Sequence, residues 1–339
     1  MTSAIHTPWA MLELITAARV SQALYVAAKL GVADYLAKGP ATCAELGAEM
    51  NVHADALYRV LRALAGFGIF AEDESRRFSL TPAAEFLRDG PRSMRGLAIM
   101  CGEPWQWQVW GRMLYSVRTG KPAFEDVFGK SVFQYLGENP DAAAAYDQAM
   151  TSVTAAETDA ILSAYDFSPF ARLADLGGGR GAFLATALGR HAHLRGLLVE
   201  LPHVVEQARK EATLAALAPR CELAAGNIFI SVPDGPDVFM LKRVLHACSD
   251  REAVLLLRNC RNAMARTSAR LLIAEMVLPP GNERSFGKWL DLEMLLFTPG
   301  GRERTADEYG ALLQQAGLRL TRVIPTGSAI SIIEGMTLP

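Results

Sequence analysis

The sequence predicts an α/β protein built on a doubly wound, mostly parallel sheet with an antiparallel hairpin at one edge, preceded by a mainly α-helical module. Three observations predict it. Arg172 to Leu188, RLADLGGGRGAFLATAL, runs from apolar residues through Gly177, Gly178, Gly179 and Gly181 into helix-prone apolar residues, the order of a buried strand, a tight turn and a buried helix. Apolar runs and helical stretches then alternate as far as LLIAEMV, the pattern of βαβ units. Finally, LRLTRVIP and SAISIIEG follow one another with no helix between them, as the strands of a closing hairpin do.

Composition sets bounds on these parts. A chain of 339 residues, 50% hydrophobic and 21% charged, has material for two domains that each bury a core. Its net charge of −2 gives no field to attract a polyanion. The cysteines, at 43, 101, 221, 248 and 260, are odd in number and none stands in a C-x-x-C pair, which argues against a disulfide framework or a zinc site and fits a reducing cytosol. The N-terminal stretch has no basic start, clean apolar segment or small-residue cleavage pattern, and the chain has no apolar run of about 18 residues. A cytoplasmic protein with no membrane partner is expected.

From Pro8 to Leu36, the residues Leu12, Ile15, Val20, Leu24, Ala27, Ala28 and Val32 recur mostly every three to five positions, as in amphipathic helices, and Gly31 punctuates them. These apolar positions exceed what a thin helical layer needs to bury, so a homodimer built on them is expected. After Gly39-Pro40, Thr42 caps the helix CAELGAEM with Glu45 completing a capping box, and Asp55 opens a second helix, ALYRVLRALAGFG. Two short strands are expected around GIFAEDESRRFSLT, and helix, helix and hairpin together make a winged-helix-like pattern. Met1 to Arg95 carries ten Lys or Arg against ten Asp or Glu, and the second helix offers only Arg59 and Arg62. A neutral module is a poor polyanion binder, so protein association is expected and nucleic-acid binding is not.

Between Met100 and Leu162 the chain is helical and aromatic, with Trp105, Trp107, Trp110, Phe124, Phe128, Phe133 and Tyr135. These rings either fill a core or close a pocket around a planar ligand, and Met150, in YDQAM, belongs with them because thioethers pack well on rings. The expected division is a helical, winged-helix-like dimerisation domain over 1–100, a helical connector contributing to the substrate pocket over 101–165, and the sheet domain over 166–339.

Beyond the glycine turn, GLLVELP reads as a second strand ending in Glu200, HVVEQARKEATLAALA as one helix, CELAA as a third strand, and Asp237 to Lys242 as a buried fourth that ends near His246. A helix from Asp250 to Met264, the strand ARLLIAEMVLP, the helical WLDLEMLLF, the turn TPGGRER and a helix from Ala306 to Ala316 lead to the hairpin.

The glycine turn points to a ligand. Four glycines in five positions leave Arg180 with the only Cβ, so the backbone can take positive φ and a ligand can lie against it. Glu200 follows at the tip of the second strand, where a carboxylate accepts hydrogen bonds from both hydroxyls of a ribose bound over the first turn, which implies a nucleoside-bearing cofactor. The dinucleotide fingerprint G-x-G-x-x-G does not match G-G-G-x-G, and nothing basic near Glu200 points to a 2′-phosphate. D-x-G-G-G-x-G resembles instead motif I of the S-adenosylmethionine-dependent methyltransferases.

Five further motifs extend the resemblance over nearly the whole chain: ELPHVV, GNIF with SVPDG, DVFMLKRVLH, LLIAEMVLP and GGRERT, with VRTGKPAFEDVFG and YDQAM in the middle. The chain is similar to the small-molecule O-methyltransferases of the plant caffeate and bacterial polyketide type, a dimeric family with a Rossmann-like methyltransferase sheet and a winged-helix-like N-terminal domain. The resemblance implies transfer of a methyl group from S-adenosyl-L-methionine to a hydroxyl oxygen of a small aromatic acceptor. It implies that Gly177 and Gly179 lie under the cofactor, Glu200 takes the ribose, Leu201 and Ile228 flank the adenine, Asn227 approaches its amino group, and Lys242 helps hold it. It implies His246 as general base, Glu275 in AEM and Glu303 in GGRER as the carboxylates that position it, and Met150, Met294 and Thr298 as substrate-facing. No metal is expected, since no Asp/Glu/His cluster is spaced in sequence to bind one.

Five positions in three places depart from the family pattern. Glu200 and Asn227 stand where Asp is common, and both still accept hydrogen bonds. After the histidine, Ala247-Cys248-Ser249 replaces Asp-Trp-Asp, which removes the usual local support of His246. Two other readings of the same fold stand beside methyl transfer: a relative that binds the cofactor but hydroxylates or decarboxylates its substrate, and a non-catalytic winged-helix ligand sensor.

Overall fold

The computed structural model describes residues 7–90, 93–265 and 267–338; residues 1–6 of the N-terminal stretch and Arg92 of the charge count above lie outside them. The chain divides into two compact units, Met1–Gly111 with Phe133–Val153, and Arg112–Val132 with Thr154–Pro339. The stretch 101–165 is thus shared between both units.

In the first unit, helices Pro8–Thr16, Ala18–Leu30 and Val32–Leu36 follow in series, and Gly31 takes φ 68° to break the last two apart. Ala27, Ala28 and Val32 are buried, whereas Trp9, Leu12, Leu14 and Ile15 are 46–75% exposed. The surplus apolar surface is therefore confined to the first helix and does not extend to Val32. Thr42 and Glu45 form the expected capping box on Cys43–Met50. The next helix begins two residues earlier than expected, at Ala54, because His53 rather than Asp55 caps it, its Nδ1 accepting from the Ala56 N–H at 3.4 Å. Strands β1 (Ala41–Thr42), β2 (Phe70–Glu72) and β3 (Arg77–Leu80) form an antiparallel sheet in the order β1-β3-β2, one strand more than the expected pair. Leu46, Leu57, Leu61, Leu64, Phe70 and Phe78 close the core beneath it.

The second unit is built on seven strands: β4 (Arg172–Leu176), β5 (Arg195–Glu200), β6 (Cys221–Ala225), β7 (Val238–Lys242), β8 (Arg270–Glu275), β11 (Leu318–Pro325) and β12 (Ser331–Thr337), with the two-residue β9 (Val277–Leu278) and β10 (Arg304–Thr305) pairing outside the sheet. Their order is β11-β12-β8-β7-β4-β5-β6, and only the β12 pairings are antiparallel. Strands β4, β7 and β8 are apolar almost throughout because helices cover both sheet faces. The chain order reverses between β4 and β7, so the carboxyl ends of these neighbours open a crevice, the usual ligand position in such sheets.

Two expected elements are broken. The helix after β5 stops at Ala208 and resumes over Ala212–Ala215, and the expected strand ARLLIAEMVLP splits at Met276 so that β9 can leave the sheet and pair with β10. Among the described residues no helix is long and apolar enough to cross a membrane.

Candidate active site

The glycine turn sits at the carboxyl end of β4, where Gly177 has φ 68° and Gly179 φ 58°, a region that only glycine enters freely. A Cβ at Gly177 would stand 3.2 Å from Val244 and 3.4 Å from Ile228, so the protein's own packing fills that side. A Cβ at Gly179 would meet nothing within 4 Å, so that side is open. Glu200 is fixed beside it: the Gly179 N–H donates to Oε1 at 3.1 Å and the Leu201 N–H to Oε2 at 2.7 Å. Leu201 is half exposed, Ile228 is buried, and Asn227 is exposed at the end of β6 with its Oδ1 accepting from the Phe229 N–H at 2.9 Å. An open face over a positive-φ backbone, with a carboxylate at its rim, fits a nucleoside-bearing cofactor. Lys242, at the end of β7, has Nζ 3.3 Å from both Thr154 Oγ1 and Glu157 Oε2.

His246 lies on the single 3₁₀ turn Leu245–Ala247 that follows β7. Its Nδ1 is 2.8 Å from Glu303 Oε1 and 3.9 Å from Glu275 Oε2, and both carboxylates are buried. Glu275, the last residue of β8, also accepts the backbone N–H groups of Leu245 and His246 on Oε1, at 2.9 and 3.3 Å. The GGRERT loop clamps the same turn. The Arg302 N–H donates to His246 O at 2.8 Å, and a Cβ at Gly301 would stand 2.7 Å from that oxygen and 2.2 Å from Thr298 Oγ1. Fully buried Arg304 donates to Leu245 O at 2.9 Å and Cys248 O at 2.8 Å, with Asp250 as its counterion. The histidine is therefore supported by backbone groups and distant side chains. Ala247-Cys248-Ser249 removes none of these contacts, and Ser249 instead caps the helix Asp250–Met264 in a capping box with Glu252.

Met294 is buried on the helix Gly287–Phe297, and Thr298 follows its end, donating to Met294 O at 2.7 Å; through Gly301 they adjoin the His246 loop. Met150 lies on the long helix Pro140–Ala164, in the portion assigned to the first unit.

Four residues that the sequence reading missed complete the site. Glu157, 4% exposed, accepts Arg243 Nε at 3.0 Å and also Arg243 Nη2, besides Lys242. Arg243 holds φ 58°, a conformation a non-glycine residue keeps only where its surroundings enforce it. Asp291 Oδ1 accepts the Glu303 N–H at 2.8 Å, and Asp175 lies fully buried under the glycine turn. Nothing local in the sequence marks Glu157; Asp175 and Arg304 lie inside quoted motifs, but their contacts are not legible there.

Burial dominates the electrostatics. It pushes Glu303 up to about 7 and raises Glu275, while it holds His246 below the ordinary imidazole value against the pull of Glu275; Arg243 adds to that lowering. Burial also lifts Asp175 up to about 7 against the pull of Lys242. One atom each of His246, Glu275 and Glu303 fall within 4.8 Å of one another. The fold thus assembles an Asp/Glu/His cluster of metal-ligand size that sequence spacing does not reveal.

Comparison with known proteins identifies the family. The model of the O-methyltransferase domain matches residues 110–319, and that of the O-methyltransferase dimerisation domain matches 12–89. The chain is 44% identical over 325 residues to the phenazine O-methyltransferase PhzM of Lysobacter antibioticus, covering 96% of this chain and 94% of that one. It is 36% identical over 326 residues to the mitomycin biosynthesis 6-O-methyltransferase of Streptomyces lavendulae, covering 95% and 92%. Among solved structures, CalO1, a methyltransferase in calicheamicin biosynthesis in its SAH-bound form, superposes with a TM-score of 0.88 at 37% identity over all of both chains. The chain belongs to the S-adenosylmethionine-dependent O-methyltransferase family.

Proposed function

We propose that this enzyme methylates a hydroxyl oxygen of a small aromatic acceptor, with His246 as general base and without a metal. The observation that carries the reading is the 2.8 Å contact between His246 Nδ1 and Glu303. With Glu303 ionised, Nδ1 carries the proton and donates, which leaves the Nε2 lone pair free to face the acceptor. A phenol with a pKa of about 10 is a poor nucleophile at neutral pH, and removing its proton as it attacks contributes roughly 10²- to 10⁴-fold. His246 suits that role because burial keeps it neutral, and the carboxylates of Glu303 and Glu275 stabilise the imidazolium once the proton has moved.

S-adenosylmethionine, when bound, supplies an electrophilic sulfonium methyl. Gly177 and Gly179 would lie beneath it, Glu200 would take the ribose, Leu201, Asn227 and Ile228 would surround the adenine, and Lys242 would help hold it at the end of β7. The relatives named above act in pathways of phenazines and of mitomycin, which supports an aromatic acceptor here. A metal-free reaction is supported by how the acids are used: Glu275 Oε1 holds two backbone N–H groups and Glu303 Oε1 holds the imidazole, so each acid spends one oxygen on orienting the base. The dimerisation domain and the open apolar face of Pro8–Thr16 support a homodimer.

Substituting His246→Ala tests the reading. It should lower kcat at least about a hundredfold with cofactor affinity nearly unchanged, and EDTA should leave the wild type unaffected. Near-wild-type turnover in the variant, or activity abolished by EDTA and restored by Mg²⁺, would overturn it.

A further inference from the structure

One carboxylate near the site has no role in holding the base. Glu293 lies on the helix Gly287–Phe297, immediately before Met294 and four residues before Phe297, so it shares a face of the helix with that ring. Phe297 packs on Phe124 with centroids 5.6 Å apart, and Phe124 lies 4.8 Å from Phe128, which makes an aromatic wall. The other acids here are taken. Asp291 accepts the Glu303 N–H, and Glu157 holds Arg243 through two nitrogens. Glu293 is partly buried, yet among the described residues its carboxylate makes no hydrogen bond or ion pair. Burial pushes it up to about 7 against the pull of Arg243, which lies near enough to act on His246 and Glu303 as well. A desolvated carboxylate without a partner is costly, and a chain keeps one cheaply only where it meets solvent or a ligand.

We propose that Glu293 reads the acceptor: its carboxylate, beside the Phe124–Phe297 wall and close to the His246 cluster, accepts a hydrogen bond from an N–H or O–H group of a planar acceptor other than the hydroxyl that is methylated. The inference deepens the methyl-transfer reading by naming the acceptor class, aromatic rings that carry a second hydrogen-bond donor. A site built to accept such a donor discriminates strongly against an analogue lacking it, because the carboxylate is then left buried and unpaired.

The probes are naphthols carrying an amino, hydroxyl or methyl group at successive ring positions. Their binding to the protein loaded with S-adenosylhomocysteine is measured by calorimetry, and their kcat/KM with S-adenosylmethionine by label transfer. At one ring position or more, the donor-bearing naphthol should bind at least about tenfold tighter than its methyl counterpart, and Glu293→Leu should reduce that preference to under about threefold with S-adenosylhomocysteine affinity unchanged. Glu293→Gln, which keeps an accepting oxygen, should retain part of the preference and serves if the leucine variant does not fold. A wild type with no preference at any position, including no binding at all, or a preference of the same size in the variants, overturns the proposal. Calorimetry needs no turnover, so a preference lost in the variant without methyl transfer in the wild type sinks the function and spares Glu293, while transfer without preference does the reverse.

Discussion

Replacing Glu303 by glutamine isolates the charge behind the base. The amide oxygen can still accept from His246 Nδ1 at the position where the carboxylate stands 2.8 Å away, so the ring keeps its orientation and loses only a charged partner. A hydrogen bond to a charged group contributes about 1.5–3 kcal/mol and a neutral one about 0.5–1.5, and the difference of about 1–1.5 kcal/mol corresponds to roughly tenfold in rate when it is realised as the imidazolium forms. Burial lifts Glu303 up to about 7, so the wild-type charge is present above that pH and lost below it. Glu303→Gln should therefore be about tenfold slow at pH 8, and within about twofold of wild type at pH 6, where the Glu303 carboxyl is largely protonated and as neutral as the amide. Burial holds His246 below its ordinary 6.5, which favours its neutral, basic form. Glu303→Leu, which removes the acceptor altogether, should be roughly a hundredfold slow at pH 8 and roughly tenfold slow at pH 6, since an unpaired buried N–H costs about 1–3 kcal/mol more than the amide contact. Single-turnover transfer of a labelled methyl group reads the step directly. Equal deficits for glutamine at pH 6 and pH 8, or equal deficits for glutamine and leucine at pH 8, would refute the reasoning.

Gly177→Val should abolish S-adenosylmethionine binding, because its side chain would force a positive-φ turn against Val244 and Ile228 in the floor of the cradle; calorimetry showing wild-type affinity in a folded variant would remove the site assignment. Asp175 sits at about 7 when folded, above its ordinary 3.8, so the wild type loses stability as pH rises between these values, about 4 kcal/mol in all and about 2 of it above pH 5.5. Asp175→Asn should lack that loss, and parallel urea-unfolding curves for the two proteins at pH 5.5 and pH 8 would contradict the assignment. A dimer mass is expected in light scattering, with Ile15→Glu on the exposed first helix shifting it toward monomer; a monomeric, fully active wild type at micromolar concentration would dismiss the homodimer.

What could be read from the sequence follows from how far apart the cooperating residues lie. The sheet was legible because β4, β5, β7 and β8 are short apolar runs bounded by turn residues, and the capping box at Thr42 needs only three residues of context. The start of the second helix was misread because Asp55 looks like a cap, while His53 supplies one. The support of His246 was legible only in part: the resemblance implied Glu275 and Glu303, but nothing implied the backbone clamp by Arg302 and Arg304. Glu275 and Glu303 stand 29 and 57 residues from it, Arg304 reaches Leu245 across 59, and Glu157 meets Arg243 across 86, so only the assembled crevice shows that His246 stays supported without Asp-Trp-Asp.

That arrangement separates two tasks physically. The proposed base is fixed by backbone carbonyls and amides of Leu245, His246 and Cys248, gripped by Glu275, Arg302 and Arg304 from the ends of β8 and β10, and none of these contacts depends on what the acceptor looks like. The side chains proposed to face the acceptor from the second unit, Glu293, Met294 and Thr298, sit instead on and just past one helix, joined to His246 through the Asp291 to Glu303 bond and the packing of Gly301. A substitution at Glu293 can thus alter which ring is held while the imidazole stays in place. One at Asp291 frees the Glu303 amide and reaches the base itself. Selectivity and rate should accordingly respond to different residues of the same helix, position 293 moving the ratio between acceptors and position 291 moving kcat for all of them.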